Sequence, residues 1–168
     1  SEMCIRDSLG CTQSPMNAWI TLNGVETLPL RMERHVENAQ KVAGFLQQHP
    51  SVEWVSYDGL SSIPYYQLAQ KYLQGKAGSV FTFGIRGGYE SGLRLLEKVE
   101  LFSHVSNIGD SRSLILHPAS TTHRQLSDEQ RLTAGAGPEV IRLSVGIESA
   151  EDLICLLYTS DAADDMFR

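Results

Sequence analysis

Apolar positions along this chain switch between two periods, and the switches mark its elements. Ile141, Leu143, Val145 and Ile147 alternate with other residues, the pattern of a strand that turns one face inward. Arg142 falls on the opposite face beside Ser144 and Gly146, neighbours too small to smother a guanidinium. Residues 79–85 alternate through Phe81, Phe83 and Ile85, and residues 52–55, 101–105 and 113–116 read as further short strands. Elsewhere the spacing is helical. Ser14-Pro15 supplies an N-cap and a first-turn proline ahead of Ala18, Trp19 and Leu22, with Gly24 expected to interrupt. Leu28, Met32, Val36, Ala39, Val42, Ala43 and Leu46 form a long stripe that ends before Pro50. Pro64 opens a helix with Tyr65, Leu68, Ala69 and Tyr72, and Leu93, Leu96 and Val99 mark another after Gly87-Gly88. Ser127-Asp128-Glu129-Gln130 reads as a capping box, and Ser149-Ala150-Glu151-Asp152 begins a last helix.

Strands alternating with helices predict an α/β domain, although the connections are too irregular to specify a parallel sheet. The length suits one domain with its own core. Formal charge is −6, and half of it sits at the two ends, on Glu2, Arg6 and Asp7 and on Asp161, Asp164, Asp165 and Arg168. A mildly acidic chain with no basic stripe argues against nucleic acid as a partner. No apolar run approaches membrane-spanning length, so no membrane association is expected.

The two ends share a property of their coding DNA. Glu2-Met3-Cys4-Ile5-Arg6-Asp7-Ser8 can be encoded by DNA whose reverse complement encodes Cys155-Leu156-Leu157-Tyr158-Thr159-Ser160. That inverted element resembles a sequencing-library adaptor, so residues 1–8 and 155–168 are expected to stand outside the fold. Cys11 is then the one native cysteine, which leaves no disulfide framework and no cysteine-rich metal site.

Arg142 admits two readings: an arginine on the solvent face of a strand, or a planar fork of donors that grips a carboxylate at two points. Other candidates are weaker. Gly87-Gly88 and Gly135-Ala136-Gly137 lack the spacing and lysine of a phosphate loop. His117 and His123 are separated by Pro118 and too far apart for one helical turn, so the histidines make no metal set. His35, next to Arg34 on the long helix, reads as a surface or interface residue. Ser120 near His117 and His123 lacks a nucleophile elbow and reads as loop structure.

Four ordered runs together carry a resemblance. Asn107-Ile108-Gly109-Asp110, Ser113-Leu114-Ile115, His117-Pro118-Ala119-Ser120-Thr121-Thr122-His123 and Arg142-Leu143-Ser144-Val145-Gly146-Ile147-Glu148 resemble the C-terminal domain of the Cys/Met-metabolism pyridoxal-phosphate enzymes. The upstream run from Gly24 to His35 and Phe102-Ser103-His104 are also similar to it. The resemblance spans residues 9–154 and is nearest to the O-acetylhomoserine sulfhydrylase branch. It implies the small α/β C-terminal domain of a fold type I (aspartate aminotransferase-like) enzyme at residues 50–154, preceded by connecting helices at residues 9–49.

The same resemblance implies pyridoxal phosphate as cofactor, a small amino-acid substrate, a homo-oligomeric (tetrameric) parent and a cytoplasmic location. The parent would exchange the acetate of O-acetylhomoserine for sulfide or a thiol. A cystathionine γ-synthase or methionine γ-lyase is the sister reading, and an inert folded fragment or interaction domain is the reading from another class. By resemblance Arg142 binds the substrate carboxylate, Asn107 and Ile108 supply a second contact, and Thr122 lines the pocket. The family's Schiff-base lysine stands in a Ser-x-x-Lys setting, which none of Lys41, Lys71, Lys76 or Lys98 has. The chain therefore reads as the carboxylate half of an active site.

Overall fold

The computed structural model describes residues 12–159. They fall into two compact units that divide between Arg31 and Met32. The first contains α1 (Pro15–Glu26) and the first residues of α2 (Leu28–Gln48). The Ser14 hydroxyl caps α1 by accepting from Asn17 N–H at 3.2 Å. Gly24 does not interrupt the helix, which runs on to Glu26. A glycine inside a helix costs only about 1 kcal/mol, too little by itself to end one. Arg31 bridges the two helices, donating to the Gly24 carbonyl at 2.7 Å.

The second unit is built on a four-stranded sheet of β1 (Val52–Ser56), β2 (Val80–Ile85), β3 (Leu114–Leu116) and β4 (Val140–Ser144). The strand order is β1-β2-β4-β3, and every neighbouring pair is antiparallel. Around it lie α3 (Tyr66–Leu73), α4 (Gly88–Lys98), a 3-10 turn (Pro118–Ser120), α5 (Asp128–Thr133) and α6 (Ala150–Thr159). The capping box that opens α5 is present in both directions, Ser127 Oγ accepting from Gln130 N–H and Gln130 Oε1 from Ser127 N–H. Residues 101–105 do not form the expected strand. Only Ser103 pairs, as a single bridge to Leu114, while Phe102 turns into the core and Val105 faces solvent.

Phe81 pairs with Leu143, Phe83 with Ile141, and Ile115 with Leu143, so alternate residues of three strands meet on one face. Ala39, Val42, Ala43 and Leu46 of α2, Leu95 and Leu96 of α4, and Leu153 and Leu157 of α6 complete that core. Burying one such leucine is worth about 1.5–3 kcal/mol, so α2 is anchored by its side chains rather than by helix propensity.

Within the stretch 9–49, α2 from Met32 onward packs with the sheet. Two expectations change here. His35 is buried rather than at a surface, because its partner lies in the chain segment that follows β4. Residues 155–159 are not outside the fold: they continue α6, and Leu157, one helical turn beyond Leu153, enters the core. The rest of the adaptor-like ends, residues 1–8 and 160–168, lies outside the described residues.

Candidate functional site

Arg142 is the middle residue of β4, paired with Thr82 of β2 on one side and Leu116 of β3 on the other. An internal strand holds the backbone of that residue from both edges. Ile141 and Leu143 lie fully buried on the core face, which leaves Arg142 pointing to the other. The side chain is half-buried, and its guanidinium makes no hydrogen bond or ion pair with any described residue. Two positions on, along the same face, the Ser144 hydroxyl is buried and also without a partner. A buried hydroxyl without a partner costs about 1–3 kcal/mol, and the half-buried guanidinium on the same face is free to take an acceptor from outside.

Asn107 and Ile108 sit in the exposed loop that leads from Ser103 to β3. Asn107 Oδ1 accepts from Ile108 N–H at 2.9 Å, so that backbone donor is already engaged and the Asn107 amide nitrogen is the free one. Arg112 N–H donates to Asp110 Oδ1 at 3.0 Å, and this bond, reinforced by the Arg112 side chain, holds the Asp110 carboxyl below its ordinary range. Thr122 is exposed just beyond the 3-10 turn, its hydroxyl 2.9 Å from His123 Nδ1. Asn107 and Ile108 are thus joined directly, whereas no hydrogen bond links either of them to Arg142 or Thr122.

The root of that loop is fastened to the chain leaving β4 by residues that sequence reasoning missed. Glu148 accepts from Ser113 N–H at 2.6 Å and from the Ser113 hydroxyl at 2.9 Å. Gly146 N–H donates to the same hydroxyl at 2.8 Å, and Ile147 N–H to the Ser111 carbonyl at 2.9 Å. From α2, Asn38 Nδ2 donates to the carbonyls of Gly146 and Glu148 at 3.0 and 2.7 Å. His35 Nδ1 lies 2.6 Å from the Val145 carbonyl, which fixes the proton on that nitrogen, because a carbonyl only accepts. Glu148 stood in plain view at the end of the Arg-Leu-Ser-Val-Gly-Ile-Glu run, but its partner Ser113 is 35 residues away.

His117 is a structural residue. It is fully buried, its Nε2 donates to the Pro138 carbonyl at 2.9 Å, and the Tyr89 ring meets it edge-on. Burial lowers its pKa, the Pro138 bond opposes, and the nearby Arg131 charge adds to the lowering. A cleft of about 620 Å³ opens nearby between Tyr89, Ala119, Arg124, Asp128, Arg131, Leu132 and Pro138, and none of the four expected site residues lines it.

The lysines do not fit a Schiff-base site. All four are exposed: Lys41 pairs with Glu37 at 3.0 Å, Lys76 with Glu33 at 3.4 Å, and Lys71 lies over the Tyr72 ring. Lys98 closes the last turn of α4 at the surface. None stands in an enclosed position where an amine could hold an aldehyde away from water. Among the described residues, no helix is long and apolar enough to cross a membrane.

Fold and geometry together define an α/β unit on an antiparallel sheet, with Arg142 carried by an internal strand and its guanidinium without a partner among the described residues. The chain belongs to the Cys/Met metabolism PLP-dependent enzyme family, which it matches over residues 1–160. It is 52% identical over 149 residues to O-acetyl-L-homoserine sulfhydrylase 1 of Thermus thermophilus, covering 89% of this chain and 35% of that protein. Against the L-methionine gamma-lyase of Treponema denticola it is 41% identical over 150 residues, with 89% and 37% covered. A crystal structure assigned to an O-acetylhomoserine (thiol)-lyase of Campylobacter jejuni, containing a pyridoxyl-lysine monophosphate, superposes with a TM-score of 0.85 at 45% identity. That match covers 93% of this chain and 37% of the other. The chain thus spans about a third of the length of the relatives it matches. The observed α/β unit with its small antiparallel sheet fits a portion of a fold type I enzyme.

Proposed function

We propose that this chain is the C-terminal, substrate-carboxylate-binding portion of a pyridoxal-phosphate-dependent enzyme. The whole enzyme converts O-acetylhomoserine and sulfide or a thiol into homocysteine or methionine and acetate. One observation carries the reading: Arg142 presents an unspent guanidinium from a strand locked on both edges. Two parallel charge-assisted bonds to the α-carboxylate would fix the amino acid's orientation, which is a positioning contribution to rate. Asn107 Nδ2 offers the second contact, Ile108 shapes the loop that presents it, and Thr122 lines the wall of the pocket. Pyridoxal phosphate, when bound, supplies a sink for negative charge at the substrate carbons. Its lysine and phosphate contacts belong to residues outside this chain, and the isolated chain is inactive. By family likeness we place the whole enzyme in the cytoplasm as a homotetramer.

The sister reading, a methionine γ-lyase or cystathionine γ-synthase, uses the same carboxylate contact; the 41% identity to a gamma-lyase supports its first form, less strongly than the 52% identity supports a sulfhydrylase. A sulfide-dependent assay for homocysteine separates the two.

Arg142→Ala in the full-length enzyme tests the carboxylate assignment. Losing a charged two-point contact costs about ten- to hundredfold in kcat/KM. Arg142→Lys restores only part, since an ammonium keeps the charge without the fork. Arg34, exposed on α2 and paired with Glu37, is the control with the smaller effect. A KM for O-acetylhomoserine within about twofold of the parent, below the range a charged hydrogen bond implies, overturns the assignment.

A further inference from the structure

We propose that Glu148 is a positioning residue for the carboxylate site: it sets where the Asn107–Ile108 loop stands relative to Arg142. The proposal rests on the carboxylate reading of Arg142 given above. Residues 104–112 form an excursion closed at its base, where Ser103 N–H donates to the Ser113 carbonyl at 3.0 Å and Ile115 N–H to the Ser103 carbonyl at 3.1 Å. Ser113 is therefore the hinge on which the excursion is hung, and it is fully buried.

Glu148 takes both donors of that residue, its backbone N–H and its hydroxyl. Having given its one proton to Glu148, the Ser113 hydroxyl can only accept from Gly146 N–H, as observed. The direction of every bond in this chain is thus set by the carboxylate. Asn38, with both amide protons spent on Gly146 and Glu148 carbonyls, holds the same segment from the helix side. Gly146 lets the two strands of chain meet, since a Cβ there would stand 2.6 Å from Arg112 C and closer still to the Ser111 carbonyl.

Gly146 is four residues past Arg142 and two past the end of β4, so at most about 13 Å of chain separates them. The clamp therefore sits on the chain leaving the strand that carries Arg142, and it fixes the loop in that strand's frame. A misplacement of about 1 Å in such a frame is enough to cost up to a hundredfold in rate. Ser113 and Glu148 touch neither reacting atoms nor substrate; they act through Asn107.

The test compares O-acetylhomoserine with its carboxamide in the full-length enzyme, because only the acid can use a carboxylate site. Glu148→Ala is expected to lower kcat/KM for the acid about tenfold or more, mainly through KM, and for the carboxamide much less. Glu148→Gln, which can still accept from Ser113 N–H and donate to its hydroxyl, should recover most of the loss. Ser113→Ala, a gentler change that keeps the backbone bond, should show the same acid-selective loss at smaller size and guards against a misfolded Glu148→Ala. Equal losses on both substrates in Glu148→Ala and Ser113→Ala overturn the proposal, since they mean general structural damage. Undiminished acid preference in both variants overturns it as well. If Arg142→Ala itself leaves the acid preference intact, the carboxylate reading has failed first, and the Glu148 role falls with it.

Discussion

Adding one carbon to Gly146 should unfold this protein more easily, against the usual sign of a glycine-to-alanine change. At a site whose backbone accepts alanine, the change stabilises by about 0.4–1 kcal/mol through the denatured chain. At Gly146 the new Cβ would stand 2.6 Å from Arg112 C, with the Ser111 carbonyl and the Glu148 carboxylate nearer still. Backbone atoms cannot swing aside as a side-chain end can. Ordinary carbon contacts begin at about 3.5 Å, so residues 111–112 must retreat by close to an ångström. That stretches the 2.9 Å bond from Ile147 N–H to the Ser111 carbonyl past useful length. One neutral hydrogen bond is worth about 0.5–1.5 kcal/mol, and overpacking a fitted site about 1–3 kcal/mol. After the denatured-state gain is set against these, the net loss is about 2 kcal/mol, or roughly 4–8 °C in Tm for a domain of this size. Urea unfolding of the chain measures it. Gly44→Ala is the internal control, near the C-terminal end of α2 with no atom outside its own helix within 4 Å, and should stabilise by about 0.5–1 kcal/mol. If Gly146→Ala proves as stable as Gly44→Ala, the close approach of the two segments is not a constraint, and the clamp argument loses its base.

Two further outcomes follow from the same structure. Leu157→Ala should cost about 2–3 kcal/mol, at the lower end of buried leucine truncations because the site lies in the last turns of α6; a loss below about 0.5 kcal/mol in urea melts, the level of an ordinary surface change, would show that the helix end is not packed. For His117, whose folded pKa lies below 6.5, the unfolded chain binds the proton more readily. Stability is therefore complete above pH 6.5 and declines as pH falls from there toward the lower folded value, by at most about 1.4 kcal/mol per pH unit. His117→Gln should flatten that decline in urea midpoints taken between pH 7.5 and 5.5, and an equally steep decline in the variant would remove His117 as its source.

Legibility in the sequence tracked the range of the interaction. Caps and periods act within one turn, so the Ser14 and Ser127 caps and the alternation around Arg142 read correctly. Their limit shows at residues 101–105, where apolar spacing suggested a strand but only Ser103 finds a partner. His35 was misread for the opposite reason. Beside Arg34 it looks like surface, yet the carbonyl that accepts from it belongs to Val145, 110 residues on. Glu148 and Ser113 fall in the same class: each lay within a run that carried the family resemblance, but neither run says that they bond to one another. Leu157 lies in a stretch whose codons resemble an adaptor, which points away from the core. The helix makes no such distinction, because a leucine one turn after Leu153 meets the same core.

β4 divides its labour by parity, and that division is what makes the site testable. Ile141 and Leu143 on one face carry the packing, with no exposure to solvent, and a change there would unfold the sheet before it touched recognition. Arg142 on the other face has no hydrogen bond to lose within the described residues, so its removal should leave stability nearly unchanged. Gly146, Ile147 and Glu148, just past the strand, join neither group: they tie the strand's exit to the loop root at Ser111 and Ser113. Loss of recognition without loss of stability therefore points to Arg142, and loss of stability alone points to the core face. A loss of both, confined in its catalytic part to the carboxylate-bearing substrate, points to the clamp.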